Sequence, residues 1–262
     1  MIVAIIQARM GSTRFKGKVM HDLCGKPILW HVWKRVSQAK QIDSIVIATS
    51  DRKDDDIIEN FCKTYNLLFF RGDEQDVLLR YYDTVKMLLN SGFSIEYIVR
   101  ITADCPLIDP NVIDRTVSHA LEGEFDYVTT SNPPSFPDGI DVEIFTTDAL
   151  EIAHINAQLP SEREHVTQYI IKNPDFTHSN VKNSSDLSSM RWSLDQKEDY
   201  EFIQKIYAEL YRNSKIFLMD EILALLQQKP NLMKINTHIP INEGYQKSLI
   251  DDKKFLEAKS ND

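Results

Sequence analysis

The chain has 262 residues, of which 42% are hydrophobic and 26% are charged, and its formal net charge is −9. This length predicts one large domain, and the acidic balance argues against nucleic-acid binding because only one early loop is basic. No apolar run approaches the ~20 residues of a membrane span, and the first residue leads into a predicted strand rather than a leader peptide. Three scattered cysteines favour neither a disulfide scaffold nor a zinc site, so we expect a cytoplasmic protein without membrane contact.

The first half of the chain alternates apolar runs with amphipathic stretches. Helices are predicted to begin near Pro27, Asp54, Asp76 and Asn111. Strands are predicted at Ile2–Gln7, Ser44–Thr49, Leu67–Phe70, Tyr97–Ile101 and Asp126–Thr130. This alternation is typical of βαβ units, and it predicts an α/β fold with a mainly parallel sheet.

The pattern changes after residue 131, where a loop rich in proline begins. We expect one domain over residues 1–250, with a loop-rich excursion at 131–185, because no linker-like composition divides the chain. The charged residues 251–262 predict a frayed tail. The predicted elements of this half are strands at Val142–Phe145 and Arg191–Leu194, and helices at Asp148–Ile155, Ser161–Lys172, Tyr200–Leu210 and Asp220–Gln228.

The loop after the first predicted strand is strongly cationic. It carries Arg9, Arg14, Lys16 and Lys18 within about ten residues. Open α/β sheets bind ligands at this end of their strands, and such a concentration of like charge is costly unless an anion neutralises it. We therefore interpret the loop as a polyphosphate site in which Arg9, Arg14 and Lys18 act on the phosphates; a solvated basic loop is the alternative.

Small residues of the same loop are candidates for nucleotide contact. Gly11 and Gly17 allow the backbone to approach a phosphate closely, Ser12 adds a hydroxyl donor, and Ala8 begins the loop. The loop lacks the G-x-x-x-x-G-K-[ST] pattern of a Walker loop, and it also lacks G-x-G-x-x-G. A nicotinamide-binding function is therefore excluded.

Asp104 lies just past the carboxyl end of the strand predicted at Tyr97–Ile101, on the same rim as the cationic loop. Mg²⁺ prefers one or two carboxylates together with phosphate and water oxygens. Asp104 is therefore a candidate metal ligand and nucleotide contact, although a turn or helix-capping aspartate would fit the same position.

Two acids and a histidine are candidates for contact with a second substrate. Asp141 and Glu143 share one face of a predicted strand, where they could position sugar hydroxyls or complete a metal shell. A solvated edge strand is equally consistent with this pattern. His165 stands near a helix start, where a lone histidine is more often structural than functional.

The pattern A-R-x-x-S-x-R-x-x-x-K, formed by Ala8, Arg9, Ser12, Arg14 and Lys18, resembles the signature of the CMP-sugar synthetases. These cytidylyltransferases activate acidic sugars such as 3-deoxy-manno-octulosonate and the neuraminates. The sequence is most similar to the branch for spore-coat polysaccharides. The resemblance implies a three-layer α/β/α fold with a mostly parallel sheet, of the nucleotide-diphospho-sugar transferase type.

The resemblance also implies roles for further residues. Asp195, in a late segment similar to the family's D-x-x-E-D element, would be the second metal ligand. Gly72 and Arg80 lie in a segment similar to the one that closes over the base and ribose. Asp141, Glu143 and His165 would contact the acceptor, because the family branch carries similar P-D-G-x-D-x-E and E-H-V-T runs.

The implied function is transfer of CMP from CTP to an acidic sugar, with Mg²⁺ as cofactor and release of pyrophosphate, for surface polysaccharide biosynthesis. The resemblance further suggests a homodimer formed through the 131–185 excursion. No general base is visible in the sequence. Two alternatives remain at this point: a nucleotide-sugar-dependent glycosyltransferase, and a catalytically inactive nucleotide-binding protein.

Overall fold

The computed structural model describes residues 1–212, 215–241 and 243–259. Its strands are β1 (Ile2–Gln7), β2 (Asp22–Leu23), β3 (Lys26–Pro27), β4 (Ser44–Ser50), β5 (Leu68–Gly72), β6 (Tyr97–Thr102), β7 (Tyr127–Thr129), β8 (Glu143–Thr146) and β9 (His178–Asn180). Seven of them form one sheet in the order β5-β4-β1-β6-β8-β7-β9, while β2 and β3 form a small hairpin. Within the large sheet, β8 pairs antiparallel with both of its neighbours and the other pairings are parallel.

Helices cover both faces of this sheet. They are α1 (Ile28–Val36), α2 (Asp56–Thr64), α3 (Val77–Asn90), α4 (Pro110–Gly123), α5 (Thr147–Asn156), α6 (Pro160–His165), α7 (Gln168–Lys172), α8 (Lys197–Leu210), α9 (Met219–Gln228) and α10 (Glu243–Lys259). Alternate residues of β1 enter opposite cores: Ala4 and Ile6 pack with α1, α4 and α8, whereas Val3 and Ile5 pack with α3 and α5. The predicted three-layer α/β/α fold is confirmed. Among the described residues, no helix combines the length and apolar composition that a membrane crossing requires.

Three predicted elements are wrong. Arg191–Leu194 is not a strand, since only Arg191 forms an isolated bridge, to Asp138. The helix predicted at Ser161–Lys172 is divided into α6 and α7 by Val166, whose φ is +63°. The predicted frayed tail is helical through residue 259 and buries Asp252, while residues 260–262 lie outside the described residues. Strand β9 was not predicted, because His178–Asn180 lacks an apolar pattern.

The sheet brings the first loop and Asp104 together. Strands β1 and β6 are parallel neighbours with Gln7 opposite Thr102, so the segments that follow them leave from the same rim. A third segment, residues 190–195, joins this rim through backbone hydrogen bonds. The amide of Leu194 donates to the carbonyl of Asp104 at 2.8 Å, and the amide of Trp192 donates to the carbonyl of Asp138 at 2.6 Å.

Gly139 allows residues 190–195 to approach this rim closely. Its φ is +108°, a region that side chains disfavour. A Cβ atom placed there would lie 2.5 Å from the amide nitrogen of Ser193 and 2.6 Å from the carbonyl carbon of Trp192. The close approach of two backbones therefore requires a residue without a side chain.

We predict that Gly139→Ala destabilises the protein by about 2 kcal/mol or more, since the added methyl meets backbone and the φ value is strained. Gly25→Ala is the matched control: Gly25 has a φ of +81° but a Cβ atom there would meet nothing within 4 Å. Chemical denaturation of both variants measures the difference. Equal losses of stability would show that the close approach at Gly139 is unimportant.

Candidate active site

A cavity of about 710 Å³ opens at the carboxyl ends of β1 and β6. Most of the residues selected from the sequence line it, although they come from distant parts of the chain. The lining includes Ala8, Arg9, Gly11, Ser12, Arg14, Lys18, Arg80, Asp104, Asp141, His165 and Asp195. Gly72 and Glu143 are not among the lining residues.

The side chain of Lys18 forms the centre of the site. Its Nζ atom donates to Asp104 Oδ2 at 2.6 Å, to Asp195 Oδ1 at 2.7 Å and to the carbonyl of Leu194 at 2.7 Å. Gly17, with a φ of +67°, precedes the short 3₁₀ helix that begins at Lys18 and directs the chain inward. The carboxylates of Asp104 and Asp195 therefore meet at one atom of Lys18, although Asp195 is 177 positions away from Lys18 in sequence.

The ionisation of this cluster is set by competition between burial and charge. Burial alone would lower the pKa of Lys18, but the carboxylates of Asp104 and Asp195 raise it above its ordinary value. Burial likewise opposes ionisation of Asp104, and Lys18 overcomes this so that the pKa of Asp104 falls below its usual range. Lys18 and Asp104 therefore both carry charge at neutral pH.

Two arginines support Asp195 from the other side. Arg14 Nη2 lies 2.9 Å from Asp195 Oδ2, and Arg191 Nη2 lies 3.4 Å from the same oxygen. Arg191 is also paired with the fully buried Asp199, at 2.8 Å from Nε to Oδ1. Asp199 additionally accepts from the amides of Asp195 and Gln196, so it fixes the turn that presents Asp195.

The donor set suits a magnesium ion shared with a ligand. Asp104 and Asp195 each place an oxygen within 2.7 Å of one cationic atom, Lys18 Nζ, so both carboxylates can reach a single cation. The described residues contain no group of three or more His, Cys, Asp or Glu side chains able to hold a metal. Two carboxylates completed by phosphate and water oxygens match what Mg²⁺ prefers.

The start of α3 forms the neighbouring wall. Arg9 Nη1 donates to the carbonyl of Glu74 at 3.2 Å, and Arg80 Nη1 donates to the carbonyl of Asp73 at 2.8 Å. The Nε atom of Arg80 is buried with no hydrogen-bond partner in the described structure. Gly72 lies behind this wall, where Arg80 and Phe70 fill the space beside its Cα. It supports Arg80 rather than facing the cavity.

Two further acids, Asp138 and Asp141, line the cavity. Asp138 adjoins the Lys18 cluster, because its Oδ2 atom lies 3.9 Å from Nη1 of Arg191, which also pairs with Asp195. Asp141 Oδ2 accepts from the amide of Gly139 at 3.1 Å, and Asp138 Oδ2 accepts from the hydroxyl of Ser193 at 2.6 Å. Burial, followed by the charge of Asp138, raises the pKa of Asp141 to about 7. Burial also raises the pKa of Asp138.

Glu143 does not reach the cavity surface. Its Oε1 atom accepts from the hydroxyls of Tyr127 and Thr167, both at 2.6 Å, and its Oε2 atom is paired with Arg100. The solvated edge strand considered for these acids is wrong, because β8 lies between β6 and β7. Direct contact of Glu143 with an acceptor is also not supported; Arg100 lines the cavity in its place.

His165 also lines the cavity and contacts α10. Its Nε2 atom lies 2.8 Å from Ser248 Oγ, and its ring meets the ring of Tyr245 edge to face. Burial lowers the pKa of His165, which favours the neutral imidazole at neutral pH.

The sequence analysis did not select Arg100, Asp138 or Arg191 as site residues, although all three line the cavity. Arg100 was detectable as a charge within an otherwise apolar strand, a position that needs a buried partner. Asp138 and Arg191 carried no comparable signal, because each stands in an irregular segment.

A family model described as cytidylyltransferase matches residues 3–238. The chain belongs to the cytidylyltransferase family. It is 33% identical to the spore coat polysaccharide biosynthesis protein SpsF of Bacillus subtilis, over 88% of this chain and 95% of that protein. It is 34% identical to the 3-deoxy-manno-octulosonate cytidylyltransferase of Trichlorobacter lovleyi, over 46% of this chain and 45% of that protein.

The fold agrees with this assignment. A solved cytidylyltransferase from Leptospira borgpetersenii superposes with a TM-score of 0.82 and 31% identity, covering 88% of this chain and 96% of that one. The expected resemblance to cytidylyltransferases is confirmed, and the family assignment favours cytidylyl transfer over glycosyl transfer.

We predict that the stability of the cytidylyltransferase falls between about pH 4 and pH 7 on account of Asp141. An aspartate titrates near 3.9 in an unfolded chain, whereas folded Asp141 titrates at about 7. The folded state therefore binds more protons in this window, and stability falls as the pH rises. Asp141→Asn should raise Tm by roughly 8–16 °C at pH 8 and by much less at pH 4, measured by thermal unfolding.

Asp51→Asn changes an exposed aspartate and serves as the control, with the same small effect at both pH values. A gain for Asp141→Asn that is equal at pH 4 and pH 8 would contradict the assigned titration.

Proposed function

We propose that the protein transfers CMP from CTP to an acidic sugar, with Mg²⁺ as cofactor and release of pyrophosphate, in the biosynthesis of a surface polysaccharide. The observation that carries this proposal is the convergence of Lys18, Asp104 and Asp195 beside the cationic loop. Family membership supports CTP as the donor, and the printed names of the two relatives support a sugar acceptor and a polysaccharide context.

The triphosphate would lie against the first loop. Arg9, Arg14 and Lys18 all face the cavity there, and their positive charges would stabilise negative charge that develops on the departing pyrophosphate. Asp104 and Asp195 would hold Mg²⁺, which supplies charge neutralisation at the phosphates when bound. Lys18, which neutralises these carboxylates in the structure, would then be available to phosphate oxygens.

The acceptor would occupy the other half of the cavity. Asp138 and Asp141 present carboxyl oxygens there, and carboxyl oxygens accept hydrogen bonds from sugar hydroxyls. An acceptor hydroxyl placed between these acids and the triphosphate would attack the α-phosphorus, and its proton would pass to water. The bond from the α-phosphorus to the bridging oxygen breaks, and pyrophosphate leaves with the electron pair.

We predict that Lys18→Met and Arg14→Met each lower kcat by about 10²–10³-fold, because each removes a charge aimed at the phosphates. Pyrophosphate release with CTP, Mg²⁺ and 3-deoxy-manno-octulosonate or N-acetylneuraminate measures the loss. Lys16→Met is the control: Lys16 belongs to the same loop but is exposed and does not line the cavity, so this variant should retain wild-type turnover.

Thermal unfolding of each variant separates lost chemistry from lost folding. Near-normal turnover in both Lys18→Met and Arg14→Met would remove the polyphosphate assignment of the loop. Turnover of a UDP-sugar in place of CTP would indicate a glycosyltransferase instead.

We also predict that Mg²⁺ and CTP bind cooperatively. An incoming phosphate must compete with Asp104 and Asp195 for Lys18, and a metal held by those carboxylates relieves the competition. The rise in Tm with both ligands should therefore exceed the sum of the rises with each alone, and Asp104→Asn with Asp195→Asn should abolish the excess. Additive shifts in the wild-type protein would argue against a shared site.

A further inference from the structure

The last described helix, α10, completes the cavity although the family match ends before it. The match covers residues 3–238, whereas α10 spans Glu243–Lys259. Tyr245, Lys247, Ser248 and Asp251 of this helix nevertheless line the cavity. A segment outside the matched region therefore forms one wall of the site.

Buried polar contacts hold α10 against α6. Asp252 accepts from the amide of Ser161 at 2.8 Å and from its hydroxyl at 2.6 Å, and both residues are buried. One turn earlier, Ser248 Oγ donates to Glu164 Oε2 at 2.7 Å. Buried polar groups are costly without such partners, so α10 is seated specifically rather than resting loosely on the surface.

These contacts place α10 at the acceptor half of the cavity. Ser248 contacts His165, and the charge of Arg100 acts on both His165 and Asp141. Lys18 and its carboxylates lie beside the first loop, at the ends of β1 and β6. A ligand bound beside Asp141 would consequently face α10.

Lys247 differs from the other cation in this half. Arg100 is already paired with Glu143, so its charge is neutralised. Lys247 is exposed and lines the cavity, and among residues 1–212, 215–241 and 244–259 it has no hydrogen bond and no ion pair within 4 Å. Its charge acts on Asp251 one turn further along α10. An ammonium on a flexible stem can reach a carboxylate with little rearrangement of the backbone.

Resting on the proposed function, we propose that α10 is the acceptor-selecting wall of the site and that Lys247 binds the carboxylate of the acidic sugar. The neighbouring acids Asp138 and Asp141 take the sugar hydroxyls, and Lys247 supplies the opposite charge. Lys247 is thus a specificity-determining residue for the acceptor. The triphosphate is bound by the first loop and not by Lys247.

Steady-state kinetics of Lys247→Met test this assignment, with 3-deoxy-manno-octulosonate and N-acetylneuraminate as acceptors. We expect KM for the accepted acid to rise about tenfold, equivalent to about 1.4 kcal/mol, while kcat and KM for CTP stay within about twofold. Lys253→Met removes an exposed lysine of the same helix that does not line the cavity, and it should match the wild type.

The outcomes separate this inference from the proposed function. An active wild type with an unchanged acceptor KM in Lys247→Met would overturn the role of Lys247, and so would a raised KM for CTP. A wild type that transfers CMP only to uncharged sugars would overturn the carboxylate contact while CMP transfer stands. A wild type that releases no pyrophosphate with any sugar would overturn the proposed function, and this inference with it.

Discussion

The ion cluster around Lys18 couples three parts of the chain that are remote in sequence. Its ammonium lies 2.6 Å from the carboxylate of Asp104 and 2.7 Å from that of Asp195, and removing Lys18 would leave Asp104 without this charged partner. This cluster therefore fixes three segments relative to one another: the loop after β1, the end of β6 and residues 190–195. Because the charges compensate locally, a protein with a net charge of −9 can maintain a cationic phosphate loop.

Burial affects the ionisation of the groups around Lys18 and of Asp138 and Asp141 in different ways. Near Lys18, opposite charges are paired, so burial is compensated and the groups stay ionised. Burial raises the pKa of both Asp141 and Asp138. The charge of Asp138 adds to the effect on Asp141, and the charges of Asp195 and Asp104 add to the effect on Asp138. The cationic loop beside Lys18 is therefore suited to an anionic ligand, whereas acids whose pKa is raised are suited to hydrogen bonds with neutral groups.

The parallel strands and the phosphate loop could be predicted because local patterns determine them: apolar runs, glycines and clustered cations. Asp104 followed from its place after a strand. The position of Asp195 required family resemblance, since nothing local indicates that residues 177 positions apart meet. The alternation in Arg191-Trp-Ser-Leu194 was misread as a strand because Trp192 and Leu194 are buried in the core without a strand partner. Helix α10 was missed because polar contacts hold it, and hydrophobic patterning cannot detect those.

The two halves also differ in what supports them. The Lys18 cluster is built at the ends of β1 and β6, where the sheet fixes positions on both sides, and such precise placement is what the proposed transfer requires. The acceptor half is closed by α10, which packs mainly on α6 rather than on the sheet. Substitutions along α10 can therefore alter the acceptor wall without disturbing the strands that hold Lys18 and Asp104. A fold arranged in this way can keep one nucleotide chemistry while its acceptor changes, which is consistent with relatives named for different roles.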